Sequence, residues 1–392
     1  MTMKPERQLN NEEQPPLTRR VVEVLMERDA QPESPVLSVY LDTDQSQEIN
    51  LERAFEVVFK NMLRNVVPDE KNKQQALKDD ADVVLRFLDG YRDTRRSLVI
   101  FCDASEDFLW IRELAVTSRN SLRWHERPFV RPLLELIDEH KRYAVVLTDH
   151  KKARLFTIYL GDIEEHHRAF AQSGVKQIKS PGTDHPLSQM HVQRKAEVHA
   201  LWHLKEVVNT MVRLAARNSL DRLILSGPVE PTSELYDLLP KALQSKVVRK
   251  LSLPVETSTA DVLAETLKIE REVERQREVD LVESLITAAM KHQKAAVGLE
   301  QTLRALQERR AWELVYSDGY VVQGGQCTNC EALDVMDNEP CSYCGKPVRA
   351  VDDLIQLAAD QVMNVDGKLE HVQGPAARRL NEVGGLGAVL HY

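Results

Sequence analysis

A series of three α/β domains, the last carrying a four-cysteine metal-binding insert, is the fold class this sequence predicts. Three observations support it. At 392 residues the chain is too long for one ordinary hydrophobic core. Short apolar runs alternate with longer stretches whose apolar residues recur at helical spacing, the pattern of strands and helices in turn. Finally, Cys327, Cys330, Cys341 and Cys344 stand as C-x2-C-x10-C-x2-C. That spacing lets two close pairs of thiolates converge on one cation.

Residues 1–17 are polar and read as a disordered lead. Residues 36–41 (VLSVYL) give a strand, with Asp42-Thr43-Asp44 as its turn. Helical spacing over 51–67 and 75–91 gives two helices. Residues 97–103 form a second buried strand and 108–117 a third, and this unit closes near Glu126. A helix over 129–140 leads into a hairpin of strands 143–148 and 153–160, turning at Asp149-His150-Lys151-Lys152. A polar loop over 161–187 precedes one long amphipathic helix, 188–217. Strand 222–226, a helix from Thr232, strand 247–253 and a helix from Thr259 follow, an alternation that implies a mostly parallel sheet covered by helices. The run KIEREVERQREVD (268–280) interleaves opposite charges and reads as a solvated helix bridging two domains. Beyond it come helix 299–309, strand 311–317, the cysteine insert 327–344, helix 351–363, strand 368–373, helix 375–383 and strand 388–392. The expected domains are 18–139, 140–280 and 281–392. There is no internal repeat.

With 42% hydrophobic and 29% charged residues, the composition is that of a soluble globular protein. No run approaches the length of a membrane span, and the first residues carry no apolar signal core, so a cytoplasmic protein is expected. A net charge of -9 argues against indiscriminate nucleic-acid binding, yet the charge is uneven. Residues 140–220 hold thirteen Lys and Arg against seven Asp and Glu, whereas residues 299–392 hold eight against fourteen. A basic middle suits RNA phosphate and an acidic end suits a protein partner. Cys102, at the end of SLVIFC, reads as a buried structural thiol. Thiolate softness and four-coordination favour structural Zn2+ at the other four cysteines, with iron as the alternative occupant and two disulfides or a redox pair as the rival reading. A closed four-thiolate site has no open position for water, so it shapes a surface and performs no chemistry.

The ending GGLGAVLHY (384–392), with Gly298-Leu299-Glu300 running into AWELVYS (311–317), resembles the C-terminal domain of archaeal and eukaryotic class-I release factors. In that family the intervening insert often carries paired cysteines. Residues 36–43 and 132–161 look like bacterial members of the same superfamily, which also includes Pelota. The resemblance covers most of residues 36–392 and implies three α/β domains of release-factor/Pelota type. The family's catalytic Gly-Gly-Gln precedes a basic helix beginning with Ser. Here Ser188-Gln189-Met190-His191-Val192-Gln193-Arg194 matches that helix start, but His185-Pro186-Leu187 stands before it. Proline and leucine lack the backbone freedom of two glycines. A Gly-Gly-Gln does occur at Gly324-Gly325-Gln326, in the wrong domain, where it reads as the turn that delivers Cys327 to the metal. The family's stop-codon motifs, Asn-Ile-Lys-Ser and Tyr-x-Cys-x-x-x-Phe, are not visible in residues 18–130.

Lys151, Lys152, Arg154, Arg168, Lys176, Lys179, Arg194 and Lys195 flank the hairpin and loop, placed to neutralise phosphate, or else form a solvated face. His185, Gln189 and His191 could hydrogen-bond or stack on unpaired bases. His199 and His203 stand four apart without a third ligand and read as surface or packing residues, as does the pair His166-His167. The resemblance implies a non-catalytic factor occupying the ribosomal A site from decoding centre to peptidyl-transferase centre. It would contact 16S and 23S rRNA and a translational GTPase such as elongation factor Tu, and is most similar in kind to bacterial ribosome-hibernation factors. The alternatives are a ribosome-rescue factor, or a peptidyl-tRNA hydrolase or tRNA-cleaving enzyme in which His185 or Gln189 positions the nucleophile. Membrane and DNA are not expected partners.

Overall fold

The apolar run that opens at Val36 becomes the interior of an antiparallel sheet. A computed structural model describes residues 16–26, 35–47, 50, 53–68, 70–92, 95–167, 186–217, 219–335, 340–365 and 367–391, without the side chains of 186–196. Residues 1–15 of the expected disordered lead lie outside that set. The chain divides into two compact units, Met1–Glu139 with Glu272–Tyr392, and His140–Arg271.

In the first unit, α1 (Arg19–Met26), β1 (Val36–Asp42), α2 (Ala54–Leu63), α3 (Lys71–Gly90), β2 (Ser97–Asp103), β3 (Phe108–Leu114), β4 (Ser121–His125) and α4 (Arg131–Glu139) follow in order. The sheet order is β3-β2-β1-β4, with every pairing antiparallel. Leu37, Val39, Leu41, Ile100 and Cys102 pack against Phe55, Phe59, Val84 and Leu88 from α2 and α3. Cys102 is fully buried, as expected, and burial pushes its thiol well up. The sheet does not close at its third strand. Residues 121–125 add β4 to the open edge of β1, with Leu122 and Trp124 alternating onto the core. The Trp124 Nε1–H donates to Asp80 Oδ2 at 3.0 Å.

The second unit holds β5 (Tyr143–Thr148), β6 (Ala153–Tyr159), β7 (Asp162–Glu165), α5 (Pro186–Arg217), β8 (Arg222–Ser226), α6 (Val229–Leu238), α7 (Lys241–Gln244), β9 (Val247–Leu251) and the first part of α8 (Thr259–Met290). Its sheet runs β7-β6-β5-β8-β9. Strands β5, β8 and β9 are parallel, and β5, β6 and β7 antiparallel. Residues 162–165, expected as loop, are therefore a strand, with Ile163 paired to Ile158. Leu204, Val207 and Met211 of α5 bury against Leu223 and Leu225 of β8.

The first unit resumes with the rest of α8, then β10 (Ala295–Val297), α9 (Leu299–Gln307), β11 (Ala311–Ser317), β12 (Gly324–Cys327), β13 (Leu333–Asp334), β14 (Val348–Val351), α10 (Leu354–Met363), β15 (Lys368–Val372), α11 (Gly374–Asn381) and β16 (Leu386–Leu390). In the order β10-β16-β11-β15 only β11 and β15 are parallel. The expectation of mostly parallel sheets thus holds only for β5-β8-β9 and β11-β15 among the described residues. Sequential hairpins account for the antiparallel pairs β2–β3, β5–β6 and β6–β7, while β1–β2, β1–β4, β10–β16 and β11–β16 are antiparallel between strands distant in sequence. The return into β16 uses Gly384 and Gly385, at φ 106° and 71°, where a side chain on Gly385 would strike the Tyr320 ring at 2.6 Å.

The expected solvated helix is a second correction. Within α8, Ile269, Glu270, Glu274 and Glu278 are buried. The three glutamates recur every fourth residue, so they share one face. That face survives burial because other elements bring partners to it. In the second unit His140 Nδ1 lies 3.1 Å from Glu270 Oε2. In the first unit Arg277 reaches Glu274 at 2.6 Å and Glu370 at 2.5 Å. Arg275 meets Glu139.

The Gln373 N–H donates to Glu278 Oε2 at 3.0 Å, and Arg275 Nη1 lies 3.1 Å from Oε1 without completing an aligned hydrogen bond. Burial, reinforced by Glu139 and Glu274, pushes the Glu278 carboxyl up to about 7. Its folded pKa thus exceeds the unfolded one, so ionisation costs stability above pH 7. That cost fades as the pH falls through 7 toward the unfolded value of about 4.3. Glu278→Gln is expected to raise stability at pH 8 by about 1–3 kcal/mol and to flatten the parent's gain between pH 8 and about 5. Urea unfolding at both pH values reads this. A variant no more stable than the parent at pH 8 contradicts the assignment.

Candidate functional site

The two cysteine pairs sit on two turns of the same construction. Cys327 ends β12 and Cys341 stands beyond residues 336–339, yet each anchors the same backbone pattern. The Cys327 N–H donates to Ala332 O at 2.9 Å, and the Cys341 N–H to Lys346 O at 2.9 Å. Four residues on from each first cysteine, the N–H of Glu331 or Gly345 returns to that cysteine's carbonyl, at 3.2 and 2.8 Å. Both residues are left-handed, with φ 58° and 67°. These tight turns aim both sulfurs of a pair at one point.

Sγ of Cys327 lies 3.4 Å from that of Cys344, and Cys330 3.5 Å from Cys341, with all four within 4.8 Å. A tetrahedron of thiolates about 2.3 Å from a cation has edges of about 3.8 Å, so the donor set fits one four-coordinate metal. All four are free thiols, not disulfides. Backbone N–H groups of Cys330 and Asn329 hold the Cys327 thiol below the usual cysteine range, while burial and the crowding of neighbouring sulfurs push Cys330 up. Among the described residues this is the one cluster of three or more His, Cys, Asp or Glu side chains close enough to share a cation. His199 is exposed on α5 and joins no such cluster, and His166 Nε2 is 2.6 Å from Thr157 Oγ1.

Gly324-Gly325-Gln326 is not the turn the sequence suggests. It is strand β12, paired with Asp334 and Leu333 on one side and with Val351, Ala350 and Arg349 on the other. A side chain at Gly324 would meet Asp334 O at 2.4 Å and Leu354 Cδ1 at 2.5 Å, so close packing demands the glycine. Gln326 Oε1 accepts from Arg349 Nη2 at 2.6 Å. The tripeptide is thus a paired strand leading into the first ligand.

The basic residues of the second unit divide sharply. The hairpin turn is ordered by Asp149 Oδ1, which accepts the N–H groups of Lys151 and Lys152 at 2.6 and 2.7 Å. Lys151 is exposed; Lys152 reaches Glu256 at 2.9 Å. Arg154 is spent inside the unit: it forks onto Glu165, donates to the carbonyls of Val255 and Thr257, and lies over the Phe156 ring. Arg168, Lys176, Lys179 and His185 lie outside the described residues, and Gln189, His191, Arg194 and Lys195 lie on α5 without described side chains.

A group that sequence reasoning misses lies in the first unit. Arg119, Arg123, Arg127 and Arg131 recur every fourth residue, a spacing visible in the sequence but spread over a loop, a strand and a helix start. Arg119 meets Asp318 at 2.6 Å, and Arg123 meets Asp353 at 3.2 Å. Arg131 meets Glu135 at 2.9 Å and Gln356 at 3.3 Å and lies over the Tyr316 ring, whose hydroxyl donates to Glu135 at 2.6 Å.

Residues 128–271 match the model of Bacterial archaeo-eukaryotic release factor family 10. Among solved structures, an archaeal translation termination factor aligns at 14% identity over 95% of this chain and 97% of that one, with a TM-score of 0.25. Archaeoglobus fulgidus Pelota aligns at 14% over 77% and 81%, with a TM-score of 0.34. Dom34 of S. cerevisiae, a translation termination-like factor interacting with Hbs1, aligns at 11% over 76% and 85%, with a TM-score of 0.40. No curated protein matches. No described helix is long and apolar enough to cross a membrane. The family match takes in α4 and the whole second unit, and over those residues the chain resembles bacterial members of the archaeo-eukaryotic release-factor family.

Proposed function

We propose that this chain is a cytoplasmic, non-catalytic ribosome-binding factor that occupies the A site and blocks or protects idle ribosomes. The observation that carries the reading is a pairing of facts about one segment. Residues 128–271 match a bacterial archaeo-eukaryotic release-factor family, and His185-Pro186-Leu187 stands where archaeal and eukaryotic class-I release factors carry the hydrolytic Gly-Gly-Gln. An A-site body without the water-positioning glutamine acts by occlusion. Its middle domain reaches the peptidyl-transferase centre and 23S rRNA, its N-terminal domain the decoding centre and 16S rRNA. The acidic C-terminal domain meets a translational GTPase, for which elongation factor Tu is the bacterial candidate. Lys151, Lys152, Lys176, Lys179, Arg194 and Lys195 supply the phosphate contacts, and His185, Gln189 and His191 the base contacts. Arg154, already engaged inside its unit, contributes mainly by holding the hairpin.

Sedimentation with vacant 70S ribosomes and with peptidyl-tRNA complexes, scored for peptide release in the same tubes, tests this. Binding to both without release is expected. Release abolished by His185→Ala would instead assign a peptidyl-tRNA hydrolase, and no binding to either complex would sink the reading. Changing Lys176, Lys179, Arg194 and Lys195 together to Ala should weaken ribosome binding and make its salt dependence shallower. Each phosphate that is no longer neutralised should reduce the slope by about 0.7–0.9 log unit per log unit of salt. An unchanged slope removes these residues from the interface.

We assign Zn2+ to the four cysteines, on the donor set of four thiolates converging with no carboxylate or imidazole among them. One zinc per chain is expected by elemental analysis, and Cys327→Ser with Cys341→Ser should abolish it. Chelation should expose the insert to proteolysis while the second unit keeps its melting transition. A chain that purifies with iron instead would overturn the assignment of the metal.

A further inference from the structure

The first unit closes on itself through charge. On one side stand Arg119, Arg123, Arg127 and Arg131, with only Glu126 among them as an acid. On the other lies an acidic stretch: residues 350–367 carry four aspartates and no Lys or Arg. Asp353 faces both Arg123 and Arg131, at 3.2 and 3.8 Å, while Asp318 takes Arg119. Asp360, held by Gln356 Nε2 at 2.8 Å, is pushed up to about 6 by burial, with the more distant charges of Arg123, Arg131 and Arg127 acting against that rise. The pairs differ in depth. Arg131 is 15% exposed and stacked on Tyr316, whereas Arg119 is 73% exposed and Arg123 40%.

We infer that Arg119, Arg123 and Arg127 form an RNA phosphate-binding row, which Asp318 and Asp353 occupy, with the charge of Asp360 close by, within the same chain until RNA displaces them. This rests on the reading of the chain as a ribosome binder. Guanidinium forks match phosphate and carboxylate alike, so the aspartates stand in the positions that phosphate oxygens would take. The pair of Arg119, 73% exposed, with Asp318 adds little stability and is screened by salt, and Arg123 is 40% exposed on its side of the pair with Asp353, so the row opens from the Arg119 end. Arg131, buried at the seam, is the fixed end of the row. Charge selects the occupant: a row of fixed cations four residues apart fits a polyanion, and an RNA backbone repeats its charge at every nucleotide.

The test is a chain with Asp318→Asn, Asp353→Asn and Asp360→Asn. Asn at 353 keeps the cap on α10, where the Asp353 carboxylate accepts the N–H groups of Ile355 and Gln356. Anisotropy with a labelled oligouridylate of about 20 nucleotides at low salt reads the affinity. About tenfold tighter binding than the parent is expected. Adding Arg123→Gln and Arg127→Gln should cancel the gain. Affinity within about twofold of the parent overturns the inference whichever shape the variant takes in small-angle scattering. A closed shape would mean the carboxylates do not hold the row, and an open one that the arginines do not bind RNA. A gain that survives the arginine changes overturns it as well. Ribosome sedimentation is scored apart: a triple variant that binds oligouridylate tightly while no form of the protein binds ribosomes would sink the A-site reading and leave the arginine row standing.

Discussion

The buried glutamates of α8 in the first unit, Glu274 and Glu278, are each met by a guanidinium or a backbone N–H, and the packing of the unit depends on those partners. Helix α8 carries Glu274 and Glu278 inward, and the partners come from its own neighbouring turns and from β15: Arg277 spans Glu274 and Glu370, and the Gln373 amide serves Glu278. The same need for partners draws α4 in, because Glu139 meets Arg275 and Glu135 receives the Tyr316 hydroxyl. Residues 1–139 and 272–392 are thereby one unit although the second unit interrupts them in sequence. Buried pairs add little net stability against apolar alternatives, but they are intolerant of misplacement. A helix displaced by one turn along α8 would leave a carboxylate unpaired, so the pairs fix register more than they hold the unit shut.

The cysteine centre bears on this seam through covalent geometry. Cys341 and Cys344 anchor a turn that runs directly into β14, and two residues beyond Val351 stands Asp353. That aspartate caps α10 and pairs with Arg123 and Arg131 at once. A metal joining the two turns would therefore fix the strand that places the acidic side of the seam. This gives a structural metal a role in an electrostatic contact, consistent with a closed thiolate set that offers no position for substrate.

How much of this is legible in the sequence follows from what each signal contains. Strands at 97–103, 143–148, 222–226 and 311–317 are legible to the residue, because each is an apolar run bounded by polar turns. Strands β4, β7 and β10 are not: SLRWH, DIEE and AAV offer one to three apolar side chains, and pairing with an existing edge, not hydrophobicity, makes them strands. The cysteine spacing discloses a metal-compatible centre in full, since its geometry is local. The buried face of α8 passes for a solvated one because a residue's charge is written in the sequence while its partner is not; Glu370 lies far along the chain from Arg277. The arginines at 119–131 escape for the same reason.

The two places where Gly-Gly-Gln matters show why the backbone must be consulted before the motif. At 324–326 both glycines lie inside a three-stranded sheet, one of them pressed against Asp334 and Leu354, and the glutamine is held by Arg349. Nothing about that segment offers a mobile loop tip from which an amide could orient water. Before α5 the position is reversed: the element is the right one, a long helix in the segment that matches the release-factor family, but Pro186 opens the helix. A proline fixes its own φ and lacks an N–H, and it suits the first helical turn while forbidding the open glycine backbone. The tripeptide at 324–326 is thus a paired strand leading into Cys327, whereas in the family-matched segment it is Pro186, not a glycine, that begins α5.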